Sequence, residues 1–267
     1  MYNSDPKVAA AQKVMLEILM EVHKLCVKHN LTYWLEAGTL LGAIRHKGFI
    51  PWDDDCDISM PRKDYERFLE IAERELPSGF FLQWSKTDPG YQREIAKVRK
   101  LGTRLVETGE TGEEDYCHGI FIDIFPYDYY KYKWFVQWMR WTCLVRDKKK
   151  KYRKGSIKRL LVTIYTNIIL LIPVEISKII KNYYARHKEF FQNTGSMYFT
   201  MTLYHNIPRV TKTKDVLPVK LLDNAFEGHS FYVPNNCDCF LSAVFGKDYM
   251  KLPPLEFRKT HAKEIEV

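Results

Sequence analysis

Residues 53–57 read Asp-Asp-Asp-Cys-Asp, wedged between Phe49-Ile50-Pro51-Trp52 and Ile58-Ser59-Met60. The flanks belong in a core, so the four carboxylates sit at its rim. There they lose hydration and repel one another unless cations, hydrogen-bond donors or a metal hold them. In an extended chain alternate residues share a face, which sends Asp53, Asp55 and Asp57 one way and Asp54 and Cys56 the other. Oxygen donors gathered on one face suit a hard divalent cation. An EF-hand loop would also use the first, third and fifth of these positions. It needs Gly at position six, where Ile58 stands, and Glu at position twelve, where Asp64 stands.

The pattern around this run predicts alternating helices and strands. Asp5-Pro6 reads as a cap and first helical residue, and Val8, Met15, Ile18, Leu19, Val22, Leu25 and Cys26 recur at helical spacing to about His29. Residues 31–35 read as a strand that leads into Gly38-Thr39 and a short helix ending at Arg45. Pro61 opens a further helix that closes before Pro77. Residues 80–84, 93–99 and 103–107 read as strands. In His118-Gly119-Ile120-Phe121-Ile122-Asp123-Ile124-Phe125 a strand apolar on both faces carries one central carboxylate, and an ionised Asp there needs a partner. Residues 129–145 and 174–191 read as helical and 196–204 as a strand. The end of the chain reads as a hairpin around Gly228 followed by a short helix stopped by Gly246.

Charge is concentrated in one place. The chain has 267 residues and a net charge of +8, and residues 146–159 alone carry nine Lys or Arg against one Asp. The remainder is balanced, so the basic pI does not imply a nucleic-acid partner. The apolar run 160–173 is too short to span a bilayer. Residues 146–173 together suit a peripheral membrane contact, or else a helix packed on the core behind a solvated basic loop. Six cysteines show neither a zinc spacing nor a disulfide framework, and the opening residues lack an apolar signal stretch, so a cytoplasmic location is expected, with the inner face of the plasma membrane as one place within it.

A Gly-Thr turn before a helix, an Asp-x-Asp strand and a separate apolar-Asp-apolar strand are the parts of a nucleotidyltransferase-type site. The stretch GTLLGAIRHKGFIPWDDDCDISMPRKDYERF closely resembles the signature of the LicD family. The resemblance continues through Lys97–Thr103, HGIFIDIFPYD and the terminal FEG…VP…FGKDYMKLPP…H. Two departures stand out: Thr39 where the wider superfamily has Gly or Ser, and Cys56 where an aliphatic residue is usual. The resemblance implies an α+β fold, a nucleotidyltransferase-like mixed sheet with flanking helices and a helical insert. The expected parts are a catalytic core over 1–130, a basic and hydrophobic insert over 131–195, and a segment 196–267 that completes the catalytic unit.

The implied activity is metal-dependent transfer of a phospho-alcohol, phosphocholine first among them, from a CDP-linked donor. The implied acceptor is a glycan or lipid-linked glycan, with release of CMP. Asp55, Asp57 and Asp123 are expected to hold Mg2+ or Mn2+ and to be catalytic. Gly38, Thr39, Arg45, Lys97 and Arg99 are expected to face the donor, the cations as phosphate clamps. Trp52, His118 and His261 are weaker candidates for substrate contact. Two rival readings use the same residues: a nucleotidyltransferase moving NMP to a sugar, RNA or protein, and a Ca2+-binding protein of the membrane surface without enzymatic activity.

Overall fold

The computed structural model describes residues 5–91, 93, 95–129, 157, 161, 196–199 and 210–267. The chain forms two compact units, Met1–Pro126 with Asp215–Val267, and Tyr127–Lys214. In the second, the end of strand β6 (Phe121–Tyr129) pairs antiparallel with β7 (Ser196–Phe199), which pairs with β8 (Val210–Lys212). The expected helices at 129–145 and 174–191 and the basic and apolar runs at 146–173 lie outside the described residues, apart from Ile157 and Leu161, which are helical and exposed.

The first unit starts with helix α1 (Pro6–Lys28), where Asp5 Oδ1 accepts from Lys7 N at 2.8 Å and Pro6 supplies the first-turn φ. Every apolar position picked out by its spacing is buried: Val8, Met15, Ile18, Leu19, Val22, Leu25 and Cys26. This stripe packs towards α3 (Arg62–Glu75), β4 (Ala96–Lys100) and β11 (Ala262–Glu266). Its removal from water supplies most of the stability of α1, as packing of an amphipathic face does for helices in proteins generally.

Strands β1 (Trp34–Leu35), β2 (Asp57–Pro61), β6, β4 and β3 (Phe80–Gln83) lie side by side in that order. The β1–β2, β3–β4 and β4–β6 pairs are antiparallel. With helix α2 (Ala37–Arg45) joining β1 to the acidic run, the arrangement is a sheet with flanking helices, in keeping with an α+β fold. Two pairs lie outside this order: β5 (Arg104–Glu107) with β11, and the hairpin of β9 (Lys220–Phe226) and β10 (His229–Val233). Helix α4 (Cys237–Phe245) follows the hairpin, with Asn236 as its cap. Among the described residues no helix is long and apolar enough to cross a membrane.

Registers place the chemistry. Lys97 lies opposite Asp123 on one side and Gln83 on the other, and Arg99 opposite Phe121. Directly opposed residues share a face, so Lys97, Arg99 and Asp123 project together while Val98, Ile122 and Ile124 fill the other side.

Leu19→Ala should lower the unfolding free energy by about 2–5 kcal/mol through lost transfer energy and a residual cavity. Urea denaturation followed by far-UV circular dichroism measures it. A loss under about 1 kcal/mol would mean that the α1 stripe is not the core contact described.

Candidate active site

Residues 53–56 lie outside the strands, and β2 begins only at Asp57. Of the expected alternation, the part at Asp53, Asp54 and Asp55 is seen. Asp53 and Asp55 come together, and Asp54 turns away to accept the backbone N–H groups of His261 and Ala262. Burial, then the Asp55 and Asp54 charges, push the Asp53 carboxyl well up. Burial, Asp123 and Asp54 push Asp55 up to about 6. Two half-buried carboxylates close together cannot both ionise cheaply, so each raises the other.

Helix α2 frames this group. A Cβ on Gly38 would lie 2.7 Å from Asp53 Oδ2 and 4.0 Å from Asp55 Oδ1, so any larger residue would displace the Asp53 carboxylate and touch Asp55. Thr39 Oγ1 accepts from Asp57 N at 2.8 Å, and the Asp57 carbonyl accepts from Glu36 N at 2.9 Å. Thr39 is therefore a strap between α2 and β2 rather than the helix cap. Glu36 holds the cap position. On α1, Gln12 Nε2 donates to the carbonyls of Ile50, at 3.0 Å, and Asp53, at 2.8 Å, pinning both ends of the turn before the acids.

Asp123 reaches the same place from β6. Its N–H donates to the Cys56 carbonyl at 2.8 Å, and its charge acts on Asp55. Lys97 Nζ lies 2.7 Å from Asp123 Oδ1 and 3.4 Å from Glu107 Oε2, and 3.2 Å from the centre of the Phe121 ring. Burial pulls the Lys97 ammonium down while Asp123 and Glu107 oppose it. Burial raises the Asp123 carboxyl, and Lys97 only partly offsets this. The contact is close in distance but poorly aligned as a hydrogen bond. Glu107 also meets Arg93 at 2.8 Å, and Arg93 meets Glu110 at 3.0 Å. Burial would raise Glu107, but Lys97 and Arg93 outweigh it and hold it low.

The expected donor cations divide. Lys97 stands at the acids. Arg99 is fully buried and donates to Gln83 Oε1 and the Gly119 carbonyl, so it ties β3, β4 and the approach to β6 together. Arg45 Nη1 donates to the carbonyls of Tyr249, at 2.8 Å, and Lys251, at 3.2 Å, and its surroundings include Arg258 and Asp53. Trp52 is covered by the Arg258 guanidinium at 4.9 Å and met edge-on by His46. His118 is buried against Tyr116, and His261 is occupied with Asp54.

The donor set around Asp53, Asp55 and Asp123 is all oxygen, and its mutual repulsion is what a hard divalent cation relieves, so the residues suit such an ion. Among the described residues no three His, Cys, Asp or Glu side chains are closed into a ligating cluster, and the partner of Asp123 is Lys97.

A sequence model of the "LicD/FKTN/FKRP, nucleotidyltransferase domain" matches residues 30–173, more than half of the chain and the whole of the acid site. The chain belongs to the LicD family. It is 31% identical over 259 residues to the lipopolysaccharide cholinephosphotransferase LicD of Haemophilus influenzae, covering 94% of each chain. It is 30% identical over 122 residues to an uncharacterized protein of Rickettsia prowazekii, covering 45% of this chain and 46% of that one. The human ribitol 5-phosphate transferase FKRP matches over 35 residues at 56% identity, 13% of this chain and 7% of that one. This LicD-family chain is accordingly an enzyme, a phosphotransferase of LicD type.

Sequence reading missed Gln12, Arg93, Glu107 and Arg258. Gln12 carries no motif. Glu107 could have been found by pairing alternation on its strand with the lone Asp123, since a buried acid next to a buried lysine calls for charge balance. Arg93 was placed on a strand that begins only at Ala96.

His261 makes one pH effect testable. Its bond to Asp54 leads the causes that raise the imidazole to about 9 from an ordinary 6.5. Burial would raise Asp54, but its bonds to His261 and Ala262 overcome that and hold it low. The pairing contribution is complete below about pH 6.5 and lost as pH rises through about 9. In metal-free buffer, the Tm gap between the native chain and His261→Gln should be widest at pH 6 and shrink towards pH 10. A gap independent of pH would show that the pair carries no charge.

Proposed function

We propose that this LicD-family enzyme transfers a phospho-alcohol, phosphocholine foremost, from a CDP-linked donor. The acceptor is a hydroxyl of a cell-surface glycan or of its lipid-linked precursor, and CMP is released. The observation that carries the reading is full-length likeness to a lipopolysaccharide cholinephosphotransferase, in a chain whose buried acids converge on a lysine.

In this reading Asp55, Asp57 and Asp123 hold Mg2+ or Mn2+. Such an ion neutralises pyrophosphate oxygens and makes the transferred phosphorus more electrophilic. Asp123 takes the proton of the acceptor hydroxyl as the new O–P bond forms, and the P–O bond to CMP breaks with its electron pair leaving on CMP. Lys97, already beside Asp123, offsets the charge of that carboxylate before it takes the proton. Gly38 lets the acids lie close against the helix α2 backbone on the donor side of this reading, and Thr39 keeps Asp57 in place. Arg45 lies on the donor side, anchored by the Tyr249 and Lys251 carbonyls. A nucleotidyltransferase would use the same residues but release pyrophosphate from a nucleoside triphosphate.

The test is CMP release from CDP-choline in the presence of a glycan acceptor, with CDP-ribitol and CTP as comparison donors. Activity should need Mg2+ or Mn2+ and disappear with chelator. Asp55→Asn, Asp57→Asn and Asp123→Asn should each lower turnover by at least ~100-fold, in the range of removing a principal charge-stabilising group. Near-normal turnover in Asp57→Asn would sink the assignment. Pyrophosphate release from CTP would favour the nucleotidyl reading.

The basic and apolar stretch 146–173 is proposed as a peripheral contact with the cytoplasmic membrane face, where a lipid-linked acceptor would be met. The chain should float with anionic liposomes at low salt and be released at high salt. Flotation unaffected by changing Lys148–Lys151 to Ala would leave this segment without that role.

A further inference from the structure

The FEG motif near the end of the chain has no part in the chemistry above, yet its geometry reaches the acid site. Phe226 pairs with His229, which leaves Glu227-Gly228 as the two-residue turn of the β9–β10 hairpin. Both have positive φ, +51° and +76°. A turn of this kind favours Asn, Asp or Gly at its first position, because a longer side chain with a Cβ is strained there. A glutamate held in this conformation has a contact that requires it.

That contact is with the loop entering the acidic run. Glu227 Oε1 accepts from Phe49 N at 3.0 Å, and Glu227 N donates to the Lys47 carbonyl at 2.9 Å. Lys47 is itself at φ +62°. Between them Gly48 lies so close that a Cβ would stand 2.0 Å from Glu227 Oε1. The Phe49 and Phe226 rings meet at 4.7 Å beside these bonds. The next residue, Ile50, offers its carbonyl to Asp53 N at 2.9 Å and to Gln12. The segment held by the turn tip thus ends one residue before the carbonyl that fixes the backbone of Asp53, and Asp53 in turn acts on Asp55.

We propose that Glu227 is a positioning residue for the acid centre, clamping Lys47–Phe49 so that Asp53 and Asp55 are delivered in register with Asp123. The proposal rests on the reading of those acids as the reaction centre. Glu227 touches no reacting atom. It replaces the missing strand pairing of residues 47–56 with one charge-assisted bond and one backbone bond from 178 or more residues away in sequence. A misplacement of about 1 Å in such a centre costs on the order of 100-fold in rate, so the clamp is read in turnover rather than in donor affinity.

Asparagine separates clamping from folding. Glu227→Asn suits the turn better than glutamate but is one methylene too short to hold Phe49 N. Its Tm should equal or exceed that of the native chain, while kcat for CMP release from CDP-choline falls on the order of 10- to 100-fold with donor KM within about 2-fold. Glu227→Gln, which keeps an oxygen at the same reach, should restore kcat to within about 3-fold. Native kcat in the Asn variant, or a Gln variant as slow as the Asn one, would overturn the proposal. Hydrogen exchange of residues 47–55 judges the clamp without any assay. Exchange should quicken in Glu227→Asn and return to native rates in Glu227→Gln, and unchanged exchange in the Asn variant also overturns it. Absence of CMP release by the native chain with every CDP-alcohol would instead count against the functional reading, with the exchange measurement still deciding the clamp.

Discussion

Burying like charges is the constraint on which the rest of this structure depends. Asp123 is buried, Asp53 and Asp55 are half-buried beside it, and loss of water raises all three carboxyls. Lys97 is the cation that makes this tolerable, fully buried and lying between Asp123 and Glu107. Removing it would leave Asp123 buried and unpaired, at about 3–5 kcal/mol by analogy with other broken interior pairs. The pair is weak evidence for stability, because an apolar substitute of equal shape often does as well. Its retention is understandable if the acids must be there for chemistry.

The same constraint explains why distant parts of the chain converge on residues 45–57. That stretch has little secondary structure of its own, so its backbone groups find partners elsewhere. Gln12 comes from the first helix, Glu227 from a hairpin tip, and the His261 and Ala262 amides from the start of the last strand. Arg45 is tied to the carbonyls of Tyr249 and Lys251. Each bond alone is modest, about 0.5–1.5 kcal/mol net for neutral partners and up to ~3 where a charge takes part. Together they fix the carboxylates against their repulsion, as a pre-organised site requires.

Much of the fold was legible in the sequence because periodicity and turn chemistry are local. The α1 stripe, the Pro61 helix start, the β3, β5 and β9–β10 segments and the last helix follow from spacing and from residues with one dominant backbone role. Boundaries were less legible. Residues 53–56 carry strand-like alternation but lie outside the strands, with one backbone bond from Asp123 N to the Cys56 carbonyl, and Arg93 lies ahead of the strand that begins at Ala96. Burial pattern sets alternation, whereas strand identity needs a partner that sequence does not display.

For the site, sequence by itself determined the inventory: oxygen donors on alternating positions, a second lone acid in an apolar strand, a small residue at Gly38 and the family to which the motifs belong. These follow from residue type, short spacing and motif order, which are fixed along the chain. Tertiary structure alone decided the partners of the cations. Lys97 and Arg99 are two residues apart on one face of one strand, yet Lys97 meets Asp123 while Arg99 is bound to Gln83 and Gly119. It also decided that Asp54 belongs with His261, and that Glu227 holds the loop ahead of the acids. The reason is that a charged group's role depends on which opposite charges and unpaired backbone groups lie within about 4 Å, and those neighbours come from strand register and chain closure rather than from sequence proximity.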